Sequence, residues 1–204
     1  MTHLYLASKS PRRREILRAM GVTDLTVITV GQSQLTAYEG DEVQHAGESA
    51  ADYVVRTARD KASAALAIVR SQGLPPGPVL AADTVVICDD EVLGKPVDER
   101  QAADFMRRLS GRSHEVRTAV VVGTDPDALE VAVSVSSVTF AELTPEQIDR
   151  YVATNEPYDK AGGYGIQGLA GLFIARIEGS YSGIMGLPVF ETGRLLAPYN
   201  LCSL

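Results

Sequence analysis

The sequence LYLASKSPRRREIL, residues 4–17, joins a short apolar segment to a basic segment that contains proline. Residues 4–7 have the pattern of a buried strand. A helix is expected to begin at Pro11, because proline fits the first helical position, where an N–H would have no partner in any case. Ser10 is a residue type that caps helix N-termini. The stretch therefore predicts a strand that turns directly into a helix, as at the start of an α/β fold.

Four basic residues surround this predicted helix start: Lys9, Arg12, Arg13 and Arg14. The backbone N–H groups and the dipole make a helix N-terminus positive, so cations there are unfavourable unless an anion binds among them. The cluster indicates a site for a highly charged anion, most simply a polyphosphate. A solvated basic turn is the alternative that these residues alone leave open.

Strands and helices alternate along the rest of the chain. Strands are predicted at residues 25–30, 79–88, 92–93, 116–123, 129–140 and 172–177, and helices at 11–20, 50–70, 98–109, 145–152 and 188–196. Residues 31–48 are polar without periodicity and are predicted to form a loop. We expect a single α/β domain over residues 1–204, an elongated unit of two lobes about a mixed, twisted sheet.

Composition excludes several classes of protein. The net charge of −7 over 204 residues argues against a general electrostatic grip on nucleic acid. The two cysteines and three histidines have neither zinc-ligand nor disulfide-framework spacing. With neither a signal segment nor an apolar run of membrane-spanning length, we expect a cytoplasmic protein that binds neither nucleic acid nor membranes.

Asp83 interrupts the apolar run at residues 79–88. A carboxylate in a strand buried on both faces is costly unless it is paired or holds a metal. Because perturbed acids concentrate at active sites, we interpret Asp83 as the catalytic residue. A structural acid that a nearby lysine satisfies is the alternative.

Three lysines extend the set of candidate phosphate ligands. Lys61 lies beside the apolar stripe of the predicted helix 50–70, where it could equally extend its stem along apolar surface. Lys95 follows a predicted hairpin, and Lys160 precedes a glycine-rich stretch. With Arg12 and Arg13 they bring point charges from separate segments, as a triphosphate requires.

The glycine-rich stretch GYGIQG, residues 163–168, matches G-x-G-x-x-G. The context excludes a dinucleotide fold, because no strand precedes it and a strand rather than a helix is predicted after it. Gln167 within it can both donate to and accept from a base edge. The chain has no G-x-S-x-G elbow and no P-loop lysine motif.

Together, these motifs resemble the Maf family of nucleoside triphosphate pyrophosphatases. The motifs are S-x-S-P-R-R at residues 8–13, A-D-T at 82–84, G-K-P at 94–96, D-K-A-G at 159–162 and G-I-Q-G at 165–168. The resemblance runs from residue 4 to about residue 196. It implies a Maf/ITPase-like α/β fold with an active-site cleft between two lobes, often dimeric. It also implies metal-dependent cleavage of a nucleoside triphosphate between the α- and β-phosphates.

The resemblance further implies roles for single residues. Asp83 matches the proton acceptor. Arg12, Thr84 and Gln167 match positions that set base selectivity, and here they look like the subgroup that acts on dTTP and UTP, with CTP or modified pyrimidine nucleotides as further candidates.

Phosphate oxygens are expected to be held by Ser8, Ser10, Arg13, Lys61, Lys95 and Lys160, and Mg²⁺ or Mn²⁺ by Asp83. Family members often carry an acidic pair just after the second strand, where this chain reads VGQSQ at residues 30–34. The next acids are Glu39, Asp41 and Glu42, of which Glu42 is our candidate second metal ligand. The absent pair keeps an alternative open, a nucleotide-binding regulator of cell division with little hydrolysis. A homodimer is a further expectation from the resemblance.

Overall fold

A computed structural model of the chain describes residues 3–28 and 44–202. Its strands are β1 (Leu4–Ala7), β2 (Leu25–Val27), β3 (Val79–Cys88), β4 (Glu91–Leu93), β5 (Ser113–Gly123), β6 (Glu130–Phe140) and β7 (Ile174–Glu178). Its α-helices are α1 (Pro11–Ala19), α2 (Ala50–Ser71), α3 (Glu99–Leu109), α4 (Pro145–Val152), α5 (Tyr181–Ile184) and α6 (Val189–Leu196). The predicted α/β class is confirmed.

The sheet is mixed. Its hydrogen-bonded order is β2-β1-β3-β5-β6-β7, with β4 paired to β3. β1 is parallel to both β2 and β3, whereas β3–β4 and β6–β7 are antiparallel. The parallel β1–β3 register, which ends at Ala7 opposite Ala81, fixes the level of the residues that follow on each strand.

The chain forms two compact units. The first comprises Met1–Asp83, Thr118–Val133 and Gly186–Leu204, and the second Thr84–Arg117 and Ser134–Met185. In the first unit, α2 packs on β1, and the buried side chains of α2 include Val54, Ala58, Ala62 and Leu66. In the second, a core of buried side chains includes Val86, Met106, Leu109, Val138 and Phe140. Residues adjacent on β3, Asp83 and Thr84, are assigned to different units.

Side-chain caps are observed at the starts of α2, α3 and α4. Ser49 accepts from the Asp52 amide, and Asp98 from the Gln101 amide. Thr144 and Gln147 form a reciprocal capping box. Ser10 occupies the N-cap of α1, but its side chain makes no capping hydrogen bond, so that part of the prediction is wrong.

The β3–β4 hairpin is also confirmed. Asp89 and Asp90 have φ of 54° and 62°, the left-handed conformation that a type I′ hairpin turn requires at both central residues and that Asp tolerates.

The predicted strand at residues 172–177 is partly wrong. Leu169–Leu172 form a 3₁₀ turn, and β7 begins only at Ile174. Leu172 is 84% exposed, so the apolar letters that suggested a strand do not all mark a buried one. α5 was not predicted. The predicted strand at residues 25–30 is observed as β2, and its last two residues lie outside the described residues.

None of the helices within residues 3–28 and 44–202 combines the length and the apolar character of a membrane-spanning segment.

Candidate active site

The turn between β1 and α1 is built around the Ser8 hydroxyl. Its oxygen accepts from the Ser10 amide at 3.2 Å and from Arg13 Nη1 at 3.2 Å. A hydroxyl that accepts two hydrogen bonds still has its own hydrogen to donate. Ser8 and Ser10, both half-buried, therefore offer hydroxyl groups at a helix N-terminus, where an anion is favoured.

Arg13 serves the fold as well as the predicted site. Its Nε donates to the Gly186 carbonyl oxygen at 2.8 Å, which ties α1 to the chain just before α6. Arg13 and Arg12 are half-buried, whereas Lys9 and Arg14 are exposed. The guanidinium of Arg13 is thus held by backbone and hydroxyl oxygens beside Ser8.

Asp83 and Lys61 form an ion pair in the first unit. Lys61 Nζ lies 2.6 Å from Asp83 Oδ1, and the two side chains are only 17% and 12% exposed. α2 places Lys61 at the edge of its buried face, next to Ala62, and β3 places Asp83 two residues beyond the last β1–β3 pair. The lysine partner that the sequence suggested for Asp83 is therefore observed. It is Lys61, which the sequence had marked independently as a candidate phosphate ligand. A buried carboxylate and a half-buried ammonium at this spacing suit proton transfer and phosphate binding.

In the second unit, the segments that carry Lys95 and Lys160 pack together. The Gly162 amide donates to the Gly94 carbonyl oxygen at 3.0 Å. Gly162 has φ of 69°, and a Cβ there would lie 2.8 Å from Val86, so only glycine fits. Lys160 Nζ donates to the Glu156 carbonyl oxygen at 2.8 Å and lies 2.5 Å from Asp159 Oδ1. Lys95 is exposed.

Gln167 lies in an exposed turn that the Gly168 amide closes on the Gly165 carbonyl oxygen at 3.0 Å. The residue that anchors this turn is Glu156, whose carboxylate accepts from the amides of Leu169 and Ala170. Glu156 was not predicted from the sequence, because these contacts span 13 and 14 residues and no local pattern marks them. The nearest signal is its place just before the Asp-Lys-Ala-Gly motif.

Tyr164 anchors the glycine-rich stretch in the core of the second unit. Its hydroxyl lies 2.6 Å from Nε2 of the buried His114. Burial lowers the pKa of His114 to about 4 and raises the pKa of Tyr164. Tyr151 adds a second anchor, with its hydroxyl 3.1 Å from the Gly163 carbonyl oxygen.

Thr84 follows Asp83 on β3 and is half-buried. Because successive strand residues point to opposite faces, its side chain does not share the Asp83 face. The structure thus groups the predicted residues by unit: Ser8, Ser10, Arg12, Arg13, Lys61 and Asp83 in the first, and Thr84, Lys95, Lys160 and Gln167 in the second.

The predicted metal ligands are only partly described. Over residues 3–28 and 44–202, no group of three or more His, Cys, Asp or Glu side chains could hold a metal ion. Glu42, like Glu39 and Asp41, lies outside the described residues. Asp83 is the predicted metal ligand that lies within the described residues. One such carboxylate fits Mg²⁺, which proteins commonly bind through one or two carboxylates plus substrate phosphates.

A family model and two curated relatives all indicate the same protein family. The family model described as Maf-like protein matches residues 3–199. A dTTP/UTP pyrophosphatase of Bordetella avium is 55% identical over 194 residues, covering 95% of this chain and 93% of that protein. A dTTP/UTP pyrophosphatase of Chromobacterium violaceum is 48% identical, covering 98% of this chain and 96% of that protein.

A more distant likeness is a crystal structure of a nucleoside-triphosphatase / dITP/XTP pyrophosphatase from Mycobacterium abscessus. It is 18% identical, covers 97% of each chain and has a TM-score of 0.46.

Proposed function

The chain belongs to the Maf-like protein family, and we propose that it hydrolyses dTTP and UTP to the nucleoside monophosphate and pyrophosphate. The observation that carries this proposal is the partly buried contact between Lys61 and Asp83. It offers a carboxylate able to accept a proton beside a cation able to hold a phosphate. The similarity to dTTP/UTP pyrophosphatases over nearly the whole chain supports the choice of substrate.

In the proposed reaction, water attacks the α-phosphorus and gives up its proton to Asp83. The new bond joins the water oxygen to the α-phosphorus, and the bond from that phosphorus to the α–β bridging oxygen breaks. The electron pair leaves with pyrophosphate. Arg13, Lys61, Lys95 and Lys160 are proposed to neutralise the phosphates and the charge that grows on the leaving group.

The hydroxyls of Ser8 and Ser10 are proposed to donate to phosphate oxygens. This assignment is supported by the two bonds that Ser8 Oγ already accepts and by the missing side-chain cap at Ser10. Both residues stand at the start of α1, where backbone N–H groups add to the attraction for an anion.

A divalent cation, Mg²⁺ or Mn²⁺, would orient phosphate oxygens and offset their charge when bound. Asp83 is the residue of the described chain that we expect to hold it, with Glu42 as the second proposed ligand. The ion pair with Lys61 fixes one oxygen of Asp83 in place, independently of any metal.

Base selectivity is proposed to depend on Arg12, Thr84 and Gln167. The exposure of Gln167 supports this role, because an amide at the surface of a turn can reach a base edge with both its donor and its acceptor. CTP and modified pyrimidine nucleotides are further candidate substrates. The homodimer and the cytoplasmic location stay predictions.

The test is to incubate the purified protein with a panel of nucleoside triphosphates and Mg²⁺ or Mn²⁺, and to identify the products by chromatography. We expect monophosphate and pyrophosphate, with dTTP and UTP consumed fastest. Diphosphate and orthophosphate would contradict the proposal. Tight binding without turnover would instead favour the regulator that binds nucleotides and hardly hydrolyses them.

A further inference from the structure

The carboxylate of Glu156 makes three hydrogen-bond contacts around the turn that carries Gln167. Oε2 accepts from the Leu169 amide at 2.7 Å, and Oε1 from the Ala170 amide at 3.2 Å. The Tyr151 hydroxyl lies 3.1 Å from Oε1. Hydrogen bonds to an ionised acceptor are among the strong ones, so this turn is fixed from its C-terminal side.

The same residue also contacts a candidate phosphate ligand through its backbone. The Glu156 carbonyl oxygen accepts from Lys160 Nζ at 2.8 Å. Glu156 thus connects two elements of the proposed site in the second unit, the ammonium of Lys160 and the turn of Gln167. Its own amide is held by Thr154 Oγ1 at 3.3 Å, so the residue that clamps the turn is itself fixed.

Gly168 provides the space for this clamp. A Cβ at Gly168 would lie 2.3 Å from Glu156 Oε2 and 2.4 Å from Oε1 and Cδ, far inside any real contact. Gly168 has φ of −102°, which any residue adopts, so glycine is needed here for room and not for backbone conformation. The close approach of the carboxylate to the backbone explains the glycine directly after Gln167.

We propose that Glu156 is a positioning residue that sets nucleobase selectivity by holding the Gln167 turn in one conformation. It would not touch the substrate. An amide that must pair with one base edge discriminates well only if its position is fixed, because a mobile amide can adapt to other bases. This inference rests on the proposed function, since it needs a base to be read at Gln167.

The first test compares wild-type protein with Glu156→Ala and Glu156→Gln by steady-state kinetics on dTTP, UTP, dATP and dGTP. For Glu156→Ala we expect kcat/KM on dTTP and UTP to fall by roughly tenfold or more, mainly through KM, and the preference over purine nucleotides to shrink. Glu156→Gln keeps one acceptor oxygen, so its kcat/KM and its selectivity should lie between those of wild type and Glu156→Ala. Glu178→Ala removes an exposed acid of the same unit, whose contact is Arg176, and should leave kinetics unchanged.

The second test uses Gly168→Ala and the double variant Glu156→Ala/Gly168→Ala. Gly168→Ala alone should displace the carboxylate and reproduce the loss of selectivity. In the double variant the methyl group meets no carboxylate, so adding Gly168→Ala to Glu156→Ala should cause little further loss. Fully additive effects would contradict the clamp.

The two proposals fail in different ways. If wild-type protein does not cleave dTTP or UTP, the proposed function falls and this inference with it. If wild-type protein is active but Glu156→Ala, folded by circular dichroism, keeps wild-type selectivity, only the inference is overturned. Should Glu156→Ala not fold, Glu156→Gln decides: unchanged selectivity there overturns the inference, and a reduced preference for pyrimidines supports it.

Discussion

The contact between Asp83 and Lys61 has a cost in folding stability, but it also places two charges where the proposed reaction needs them. Two charges taken out of water cost several kcal/mol each, and mutual attraction offsets that cost only when the geometry is good. At 2.6 Å the pair satisfies this condition. A hydrophobic pair would fill the same space at no electrostatic cost, so retaining both charges here suits a site that needs them.

Replacing Asp83 with Asn tests the proposed base while preserving its shape. We expect kcat on dTTP to fall by about 10²-fold or more, because an amide cannot accept the proton from water. Asp60→Asn is the matched control, since Asp60 precedes Lys61 on α2 but is 47% exposed and pairs with Arg56. The measurement is steady-state kinetics on both variants, with thermal melting to check the fold. Near-normal turnover of Asp83→Asn would remove Asp83 from the chemistry.

The protonation of His114 is expected to make the stability of the protein depend on pH. Burial lowers its pKa to about 4, whereas the unfolded chain titrates near 6.5. Between these values the unfolded chain binds the proton and the folded chain does not, so the contribution of His114 to stability is present above pH 6.5 and is lost as the pH falls towards 4. The loss by pH 4 is about 3 kcal/mol.

His114→Gln should therefore lose about 2 kcal/mol less stability than wild type when the pH falls from 7 to 4.5. Glutamine keeps a polar group facing the Tyr164 hydroxyl but does not titrate in this range. Urea unfolding at the two pH values measures the difference. An identical loss in both proteins would show that His114 is not the group responsible.

Some site residues could be predicted from the sequence, but their contacts could not. Asp83 was predictable because a charge in an apolar strand is anomalous by itself, and Lys61 because it sits beside an apolar helical stripe. Their pairing, across 22 residues, depends on how α2 packs in the first unit, which local pattern does not encode. Glu156 carries no local anomaly at all, since its role arises only from the amides it meets.

Among the elements, helix starts were the most predictable, because capping chemistry is local to four residues. The caps at Ser49, Asp98 and Thr144 are observed. Ser10 has the same sequence signature but does not cap with its side chain, and it is also the helix start surrounded by cations. A local rule that fails at one position points to a functional use of that position.

This difference leads to a prediction for α1. Ser10→Ala should leave the free energy of unfolding unchanged and raise KM for dTTP by about tenfold, since it removes a hydrogen bond to a charged phosphate and no cap. Thr144→Ala, at the observed capping box, should show the reverse, a loss of about 1 kcal/mol with KM unchanged. Chemical unfolding and steady-state kinetics on both variants give the comparison. Destabilisation by Ser10→Ala with unaltered KM would contradict the assigned role.

β7 begins two residues later than predicted, at Ile174, and the reason is physical. The residues from Leu169 to Phe173 include four apolar side chains, of which the last two begin the strand predicted at residues 172–177. The carboxylate of Glu156 instead accepts from two successive amides at the start of this segment, as at a helix N-terminus. A tertiary contact therefore turns an apolar run into a 3₁₀ turn, and sequence periodicity cannot report such a contact.

The net charge of the whole molecule indicates that a negatively charged substrate is bound by particular basic side chains and not by the overall electrostatic field. The chain carries a net charge of −7, so its overall field repels a polyanionic substrate. Binding of a triphosphate must therefore depend on the basic side chains that single elements place at particular points. The similarity to dTTP/UTP pyrophosphatases extends over nearly the full chain, so both units belong to the comparison.

The proposed mechanism requires that water attacks the α-phosphorus. Hydrolysis of dTTP by the wild-type protein in ¹⁸O-labelled water, with mass spectrometry of both products, tests it most directly. We predict the label in dTMP and none in pyrophosphate, because the attacking oxygen stays on the phosphorus it reaches. Label in pyrophosphate would place the attack on the β-phosphorus, and label in orthophosphate on the terminal one; either result would contradict the proposed mechanism.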